Sequence, residues 1–182
     1  MSAPTKQPVI TTLLSTRFFD VIDVIDVNDG TRPEGQGYKI IKEPKPINGV
    51  VVVPVLPDGR VVLASLMRRA IGRMSIEFPR GKIDDGETAV QAAVRELLEE
   101  TGMVALNTTE IGKLHSNTSL LASAVSVCIV EVSGDVSGET DGEVDNIMIK
   151  SIKDVQHMIL RGEITDGHTL SALTLLSCHT DA

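Results

Sequence analysis

The feature that most limits how this chain can fold is the run from Glu87 to Thr101, whose residue pattern fits a helix closed by Gly102 in the C′ position. Along it Glu96, Glu99 and Glu100 stand at i, i+3 and i+4, so all three carboxylates project from one helix face. Val90, Val94, Leu97 and Leu98 are assigned to the opposite, packed face. Like charges at this spacing repel by about 0.2–0.5 kcal/mol per pair. One reading is a solvated outer face of an amphipathic helix. The other is a ligand set, because magnesium takes hard oxygen donors, usually one or two carboxylates plus waters and phosphate oxygens.

The helix lies among strand signals. Residues 17–27 mix apolar and acidic side chains and run into Asn28-Asp29-Gly30, a strand and a turn. Lys42–Pro46 is a connector, which divides the chain into a β-rich region at residues 1–46 and a main domain at 47–182. Gly49–Leu56 and Val61–Leu66 flank Pro57-Asp58-Gly59 and form a β-hairpin, and Gly81–Gly86 is a glycine-bounded loop. Val104–Leu114 and Leu120–Val132 are the next strands, the second apolar enough to be central. Ser133–Asp145 reads as an acidic, mobile loop, Ile147–Ile149 as a short strand, and Ser151 as the cap of a helix reaching about Arg161, with Gly162 closing it. A final helix from His168 to about Cys178 places Leu170, Leu173, Thr174 and Leu176 near one face. Helices and strands that are mixed without strict alternation predict an α+β fold.

Composition narrows the function. The 182 residues carry 17 Lys and Arg against 25 Asp and Glu, a net charge of −8, which is the wrong sign for gripping a nucleic-acid backbone. One Tyr, three Phe and no Trp leave an aliphatic core and few rings for stacking on a base. Cys128 and Cys178 are too few for a disulfide framework or a four-ligand zinc site. The first residues lack a sustained apolar segment, and the apolar stretch near Val50–Leu56 is interrupted by Pro54, so the expectation is a cytoplasmic protein with no membrane partner.

From Gly81 to Met103 the chain reads Gly81, five residues, Glu87, seven residues, Arg95-Glu96-Leu97, one residue, Glu99-Glu100, one residue, Gly102-Met103. Every fixed position and both aliphatic ones match the Nudix box, and on that spacing the chain resembles the Nudix hydrolases. The resemblance implies an α/β/α sandwich on a mixed sheet and a magnesium cofactor, with manganese as a substitute. It implies that Glu96, Glu99 and Glu100 ligate the metal together with the backbone carbonyl of Arg80. Arg95 would orient the cluster, Glu100 would serve catalysis, and Glu87 and Gly102 would be structural.

Outside the box, FFDVIDVIDVNDG, NGVVVVPVLPDGRVVL, RRAIGRMSIEFPRG and RGEITDGHTLSALTLL resemble the ADP-ribose pyrophosphatase branch. That implies a homodimer through the N-terminal β region, and a substrate site using Arg68, Glu77 and Gly81. It also implies a loop glutamate as base, matched to Glu143 first and Glu139 second. The implied reaction is hydrolysis of ADP-ribose or a related nucleoside diphosphate sugar. Dinucleoside polyphosphates, NADH, a modified nucleotide and a non-catalytic nucleotide sensor are the alternatives. They stay open because the branch's usual proline about 15 residues past the box is missing here, and because only Phe18, Phe19, Tyr38 and Phe78 could clamp an adenine.

Overall fold

The computed structural model describes residues 7–25, 36–43, 45–136, 142 and 144–180. They fall into two compact units, one of Met1–Asn48 with His115–Ala124 and one of Gly49–Leu114 with Val125–Ala182.

In the first unit β1 (Val9–Ser15), β2 (Asp20–Ile25) and β3 (Tyr38–Lys42) form an antiparallel sheet in the order β1-β2-β3. Leu120–Ser123 was expected to open a strand, but here it belongs to this unit. The Asn117 carbonyl takes the Leu120 and Leu121 amides in a turn at 3.1 and 2.8 Å, and Ile41 then bonds Leu120 O and Ala122 N at 2.7 and 3.0 Å. The expected Asn28-Asp29-Gly30 turn lies outside the described residues.

The larger unit contains most of β4 (Ile47–Val55), then β5 (Val61–Arg68), β6 (Arg73–Glu77), β7 (Arg80–Lys82), α1 (Ala89–Thr101), β8 (Met103–Leu114), β9 (Ala124–Val136), β10 (Asn146–Lys150), α2 (Ile152–Leu160) and α3 (Gly167–Thr180). The sheet runs β10-β5-β4-β9-β8, with β6 paired to β5 and β7 to β4. The hairpin between β4 and β5 turns where expected: Gly59 takes φ 82°, which L side chains resist, and Leu56 N bonds Arg60 O at 2.9 Å. β9 is interior, between β4 and β8, and it continues through Ser133–Val136, residues expected to be loop. Likewise Gly81 and Lys82, expected in a loop, pair with Val50 and Gly49 as part of β7.

Alternation along the strands sorts the core into two layers. Val51, Val53, Val61, Leu63, Phe78 and Val127 pack with Val155 and Met158 of α2 and Ala172 and Leu176 of α3. Val50, Val52 and Cys128 are equally buried but point the other way, where the Cys128 thiol reaches Ala89 O at the start of α1. Helices on both faces of a sheet make the expected sandwich. Burial pushes the Cys128 thiol up to about 12, so it is an inert core residue. Among the described residues no helix is long and apolar enough to cross a membrane.

Candidate active site

Helix α1 begins two residues later than its sequence pattern suggests. Thr88 is the cap: its hydroxyl accepts from Gln91 N at 3.2 Å while Gln91 Oε1 accepts from Thr88 N at 2.9 Å. Glu87 is thereby left outside the helix, free to bend its carboxylate toward Asp84 N at 3.0 Å and Arg95. The helix ends at Gly102, whose φ of 67° lets its amide reach Leu98 O at 2.8 Å.

The packed face of α1 differs from the expectation. Ala92, Ala93 and Leu97 meet the sheet, whereas Val94 and Leu98 are 39% and 41% exposed. Glu96 and Glu100, expected to stand away from the packed face, are 9% and 5% exposed. The reason is the strand beside them. Gly81 in β7 has no side chain, and a Cβ built there would lie 1.9 Å from the Glu96 carboxylate. Any other residue at position 81 would expel that carboxylate, which gives the motif glycine a steric meaning.

Arg95 is the hub of this surface. Its Nε and Nη2 donate to Glu87 Oε1 and Oε2 at 3.0 and 2.9 Å, a two-point grip suited to a guanidinium. Nη1 donates to Glu96 Oε1 at 2.8 Å and Glu99 Oε2 at 2.9 Å, and Nη2 also reaches Lys82 O at 2.8 Å. These bonds, the one from Glu87 first, hold Arg95 charged. Glu96 moves the other way, because burial outweighs the neighbouring guanidinium and raises its carboxyl above the ordinary range.

A second charged group lies along β5, β6 and β7. Glu77 is 2% exposed and accepts from Arg68 Nε at 3.1 Å, Arg68 Nη2 at 2.6 Å and Arg80 Nε at 2.9 Å. Burial alone would raise its pKa, but the bonds from Arg68 and Ser75 and the charge of Arg80 pull it below the ordinary value. The charges of Glu100 and Asp166 both act on Arg68, so the helix carboxylates and the arginine edge share one electrostatic neighbourhood. Asp166 was not singled out from sequence. Its carboxylate receives Thr169 N at 2.8 Å and Thr169 Oγ1 at 2.9 Å, with Arg80 Nη2 at 3.9 Å. An Asp one residue before a helix, followed three residues on by Thr, is an N-cap signal that could have found it. Burial raises the Asp166 carboxyl, but His168, the Thr169 amide and Arg80 bring it well below the usual range.

Glu143 and Glu139 lie outside the described residues. Phe78, counted among the rings available for adenine, is 1% exposed inside the aliphatic core and offers no face to a ligand.

Among the described residues no three His, Cys, Asp or Glu side chains are grouped so that they alone could hold a metal ion. What α1 and β7 provide is an open set: carboxylates on one face and a glycine that leaves room for one of them. Hard oxygens with open positions match the way magnesium is held, so the residues fit that ion.

The NUDIX domain profile matches residues 45–172. The chain belongs to the Nudix family. This Nudix hydrolase is 28% identical over 161 residues to the ADP-ribose pyrophosphatase of Bacillus subtilis (strain 168), covering 86% of this chain and 85% of that one. It is 30% identical over 139 residues to the ADP compounds hydrolase NudE of Escherichia coli (strain K12), covering 72% and 70% respectively. A crystal structure of an ADP compounds hydrolase superposes with a TM-score of 0.73 at 22% identity over 97% of this chain and 95% of that chain, so the two share the fold. The chain is thus an ADP-ribose pyrophosphatase-like Nudix hydrolase with the α+β Nudix fold.

Proposed function

We propose that this Nudix hydrolase is a magnesium-dependent pyrophosphohydrolase, with manganese able to substitute, that cleaves ADP-ribose or a related nucleoside diphosphate sugar. The observation that carries the proposal is the pairing of a glycine-cradled carboxylate face, Glu96 with Glu100, and an arginine edge made by Arg68 and Arg80 around buried Glu77. Glu96, Glu99, Glu100 and the Arg80 carbonyl would hold the ion, which when bound supplies charge neutralisation at the diphosphate and a more acidic water.

The chain's own residues do the rest. Arg95 fixes Glu96 and Glu99 through one nitrogen and braces itself on Glu87 and the Lys82 carbonyl, so the carboxylates are oriented before substrate arrives. Glu77 keeps Arg68 extended along the edge, where it meets the diphosphate. Water attacks one phosphorus, the bridging phosphorus–oxygen bond breaks, and a carboxylate takes the water's proton. Glu143 is the first choice for that base and Glu139 the second. The products are a nucleoside monophosphate and a sugar phosphate.

Two further parts of the reading concern assembly and location. β1 is an edge strand with Val9, Ile10, Leu13 and Leu14 between 52% and 60% exposed, which supports a homodimer through residues 1–46. Both cysteines are free, in keeping with a reducing cytoplasm. The deciding experiment is product analysis over ADP-ribose, other sugar nucleotides, dinucleoside polyphosphates and NADH with magnesium. Turnover led by ADP-ribose is expected; preference for a dinucleoside polyphosphate or NADH would overturn the substrate, and no turnover at all would overturn the hydrolase.

A further inference from the structure

The arginine edge is held from a direction that the Nudix box does not contain. Between β6 and β7 the chain turns through Phe78 and Pro79. Pro79 has no amide to donate, and its carbonyl is taken by Val52 N at 2.8 Å. The Phe78 amide therefore carries the donor side of this turn, and it goes to no strand: it donates to Thr169 Oγ1 at 3.0 Å. Thr169 is 0% exposed and Phe78 1%, so water is not a substitute partner. The same Thr169 hydroxyl donates to Asp166 Oδ2 at 2.9 Å, and that oxygen also accepts Thr169 N at 2.8 Å. One hydroxyl thus accepts from the turn and donates to the helix cap, which fixes its rotor in one direction. Asp166 Oδ1 adds a longer contact to Arg80 Nη2 at 3.9 Å, and Arg73 at the start of β6 donates to Thr165 Oγ1 at 3.2 Å.

These contacts bracket the segment that matters. Glu77 lies immediately before the latched amide, and Arg80 and Gly81 follow within three residues. We propose that Thr169, oriented by Asp166, is a positioning residue for the hydrolysis: it locks the Phe78–Pro79 turn so that the Glu77 ion pairs and the Gly81 wall beside Glu96 stay in register. It touches no substrate itself. The proposal rests on the reading of this edge as the side that meets the diphosphate. Reacting groups displaced by about 1 Å lose up to about a hundredfold in rate, which is the scale at which a latch of this kind acts.

The test compares Thr169→Val, which keeps the shape and removes the hydroxyl, with Thr169→Ser, which keeps the hydroxyl. Each is assayed with whichever nucleotide the native enzyme cleaves best, so rejection of ADP-ribose would overturn the substrate reading and leave this test intact. Thr169→Val is expected to lower kcat per folded molecule by about 10- to 100-fold, with a smaller change in KM, and to abolish hydrogen-exchange protection of the Phe78 amide. Thr169→Ser is expected to restore both. Loss of Phe78 protection with kcat unchanged would show a latch that serves folding alone and would overturn the proposal, as would a serine variant no better than valine. If Thr169→Val fails to fold, Thr169→Ser and Asp166→Asn carry the test. In Asp166→Asn kcat should fall as Phe78 protection is lost, while Thr169→Ser should keep both, and independence of the two quantities would overturn it.

Discussion

The two compact units depart from ordinary burial in opposite directions. The smaller leaves Val9, Ile10, Leu13 and Leu14 of β1 more than half exposed, whereas the larger buries the residues Glu77, Glu96 and Glu100 to 9% exposure or less. Apolar surface turned outward gains its stabilisation only when something outside the chain covers it. Charge turned inward must be answered by groups of the same chain, or it would be neutralised or driven out. The comparison assigns different tasks to the two parts. The larger unit is organised around preoriented charge, and the smaller carries an exposed apolar edge strand, the surface through which the homodimer is proposed.

The largest effect should come from the inward carboxylates. Replacing Glu100 or Glu96 with Gln is expected to cut magnesium-dependent turnover by about a hundredfold or more, followed by release of the nucleoside monophosphate. Near-normal rates would remove that residue from the site.

Next is the ion pairing of Glu77. Arg68→Ala leaves a buried carboxylate with Arg80 as its remaining guanidinium partner, and a loss of about 3 kcal/mol in urea unfolding is expected. A loss below about 0.5 kcal/mol would place this pair with ordinary surface pairs and erase the contrast between the units.

The outward strand is tested by Leu13→Asp or Ile10→Lys. Either should convert a dimer to a monomer by light scattering, because a charge on that strand would have to be buried in the interface. A native protein that already has a monomer's mass would refute the assembly.

The smallest effect separates two buried carboxylates from each other. Glu77 is held below its ordinary value of 4.5, so the unfolded chain takes up that proton first as pH falls. Its contribution to stability is complete above 4.5 and is lost as pH drops through the lowered folded value. Glu96 is raised above 4.5, so the folded state holds its proton longer, and its contribution is complete below 4.5 and lost as pH rises through the raised value. Without metal, urea midpoints from about pH 3 to 7 should therefore show opposite changes of slope in Glu77→Gln and Glu96→Gln. Slopes of the same sign would contradict the two environments.

Much of the larger unit was legible because its signals are local. The β4–β5 turn at Pro57-Asp58-Gly59, the cap at Ser151 and the exit at Gly102 depend on a few adjacent residues, and each forms as read. The facing of α1 was not legible. Val94 and Leu98 have the hydrophobicity of core residues and Glu96 and Glu100 do not, yet exposure is reversed, because a bare glycine in β7 receives Glu96. The Thr169 latch was hidden for a similar reason: its partner Phe78 is 91 residues away, and neither residue type marks the contact.

The sequence by itself determined the family, the α+β class and the helix that carries the motif, since a fixed spacing of glycine, arginine and glutamate is a property of the chain alone. Tertiary structure decided which of those glutamates are buried, what holds Glu77 charged inside the protein, and which backbone amide steadies the arginine edge. Those are questions of distance and desolvation. A carboxylate's cost and use depend on what stands within a few ångströms of it, and that is settled only when distant segments meet.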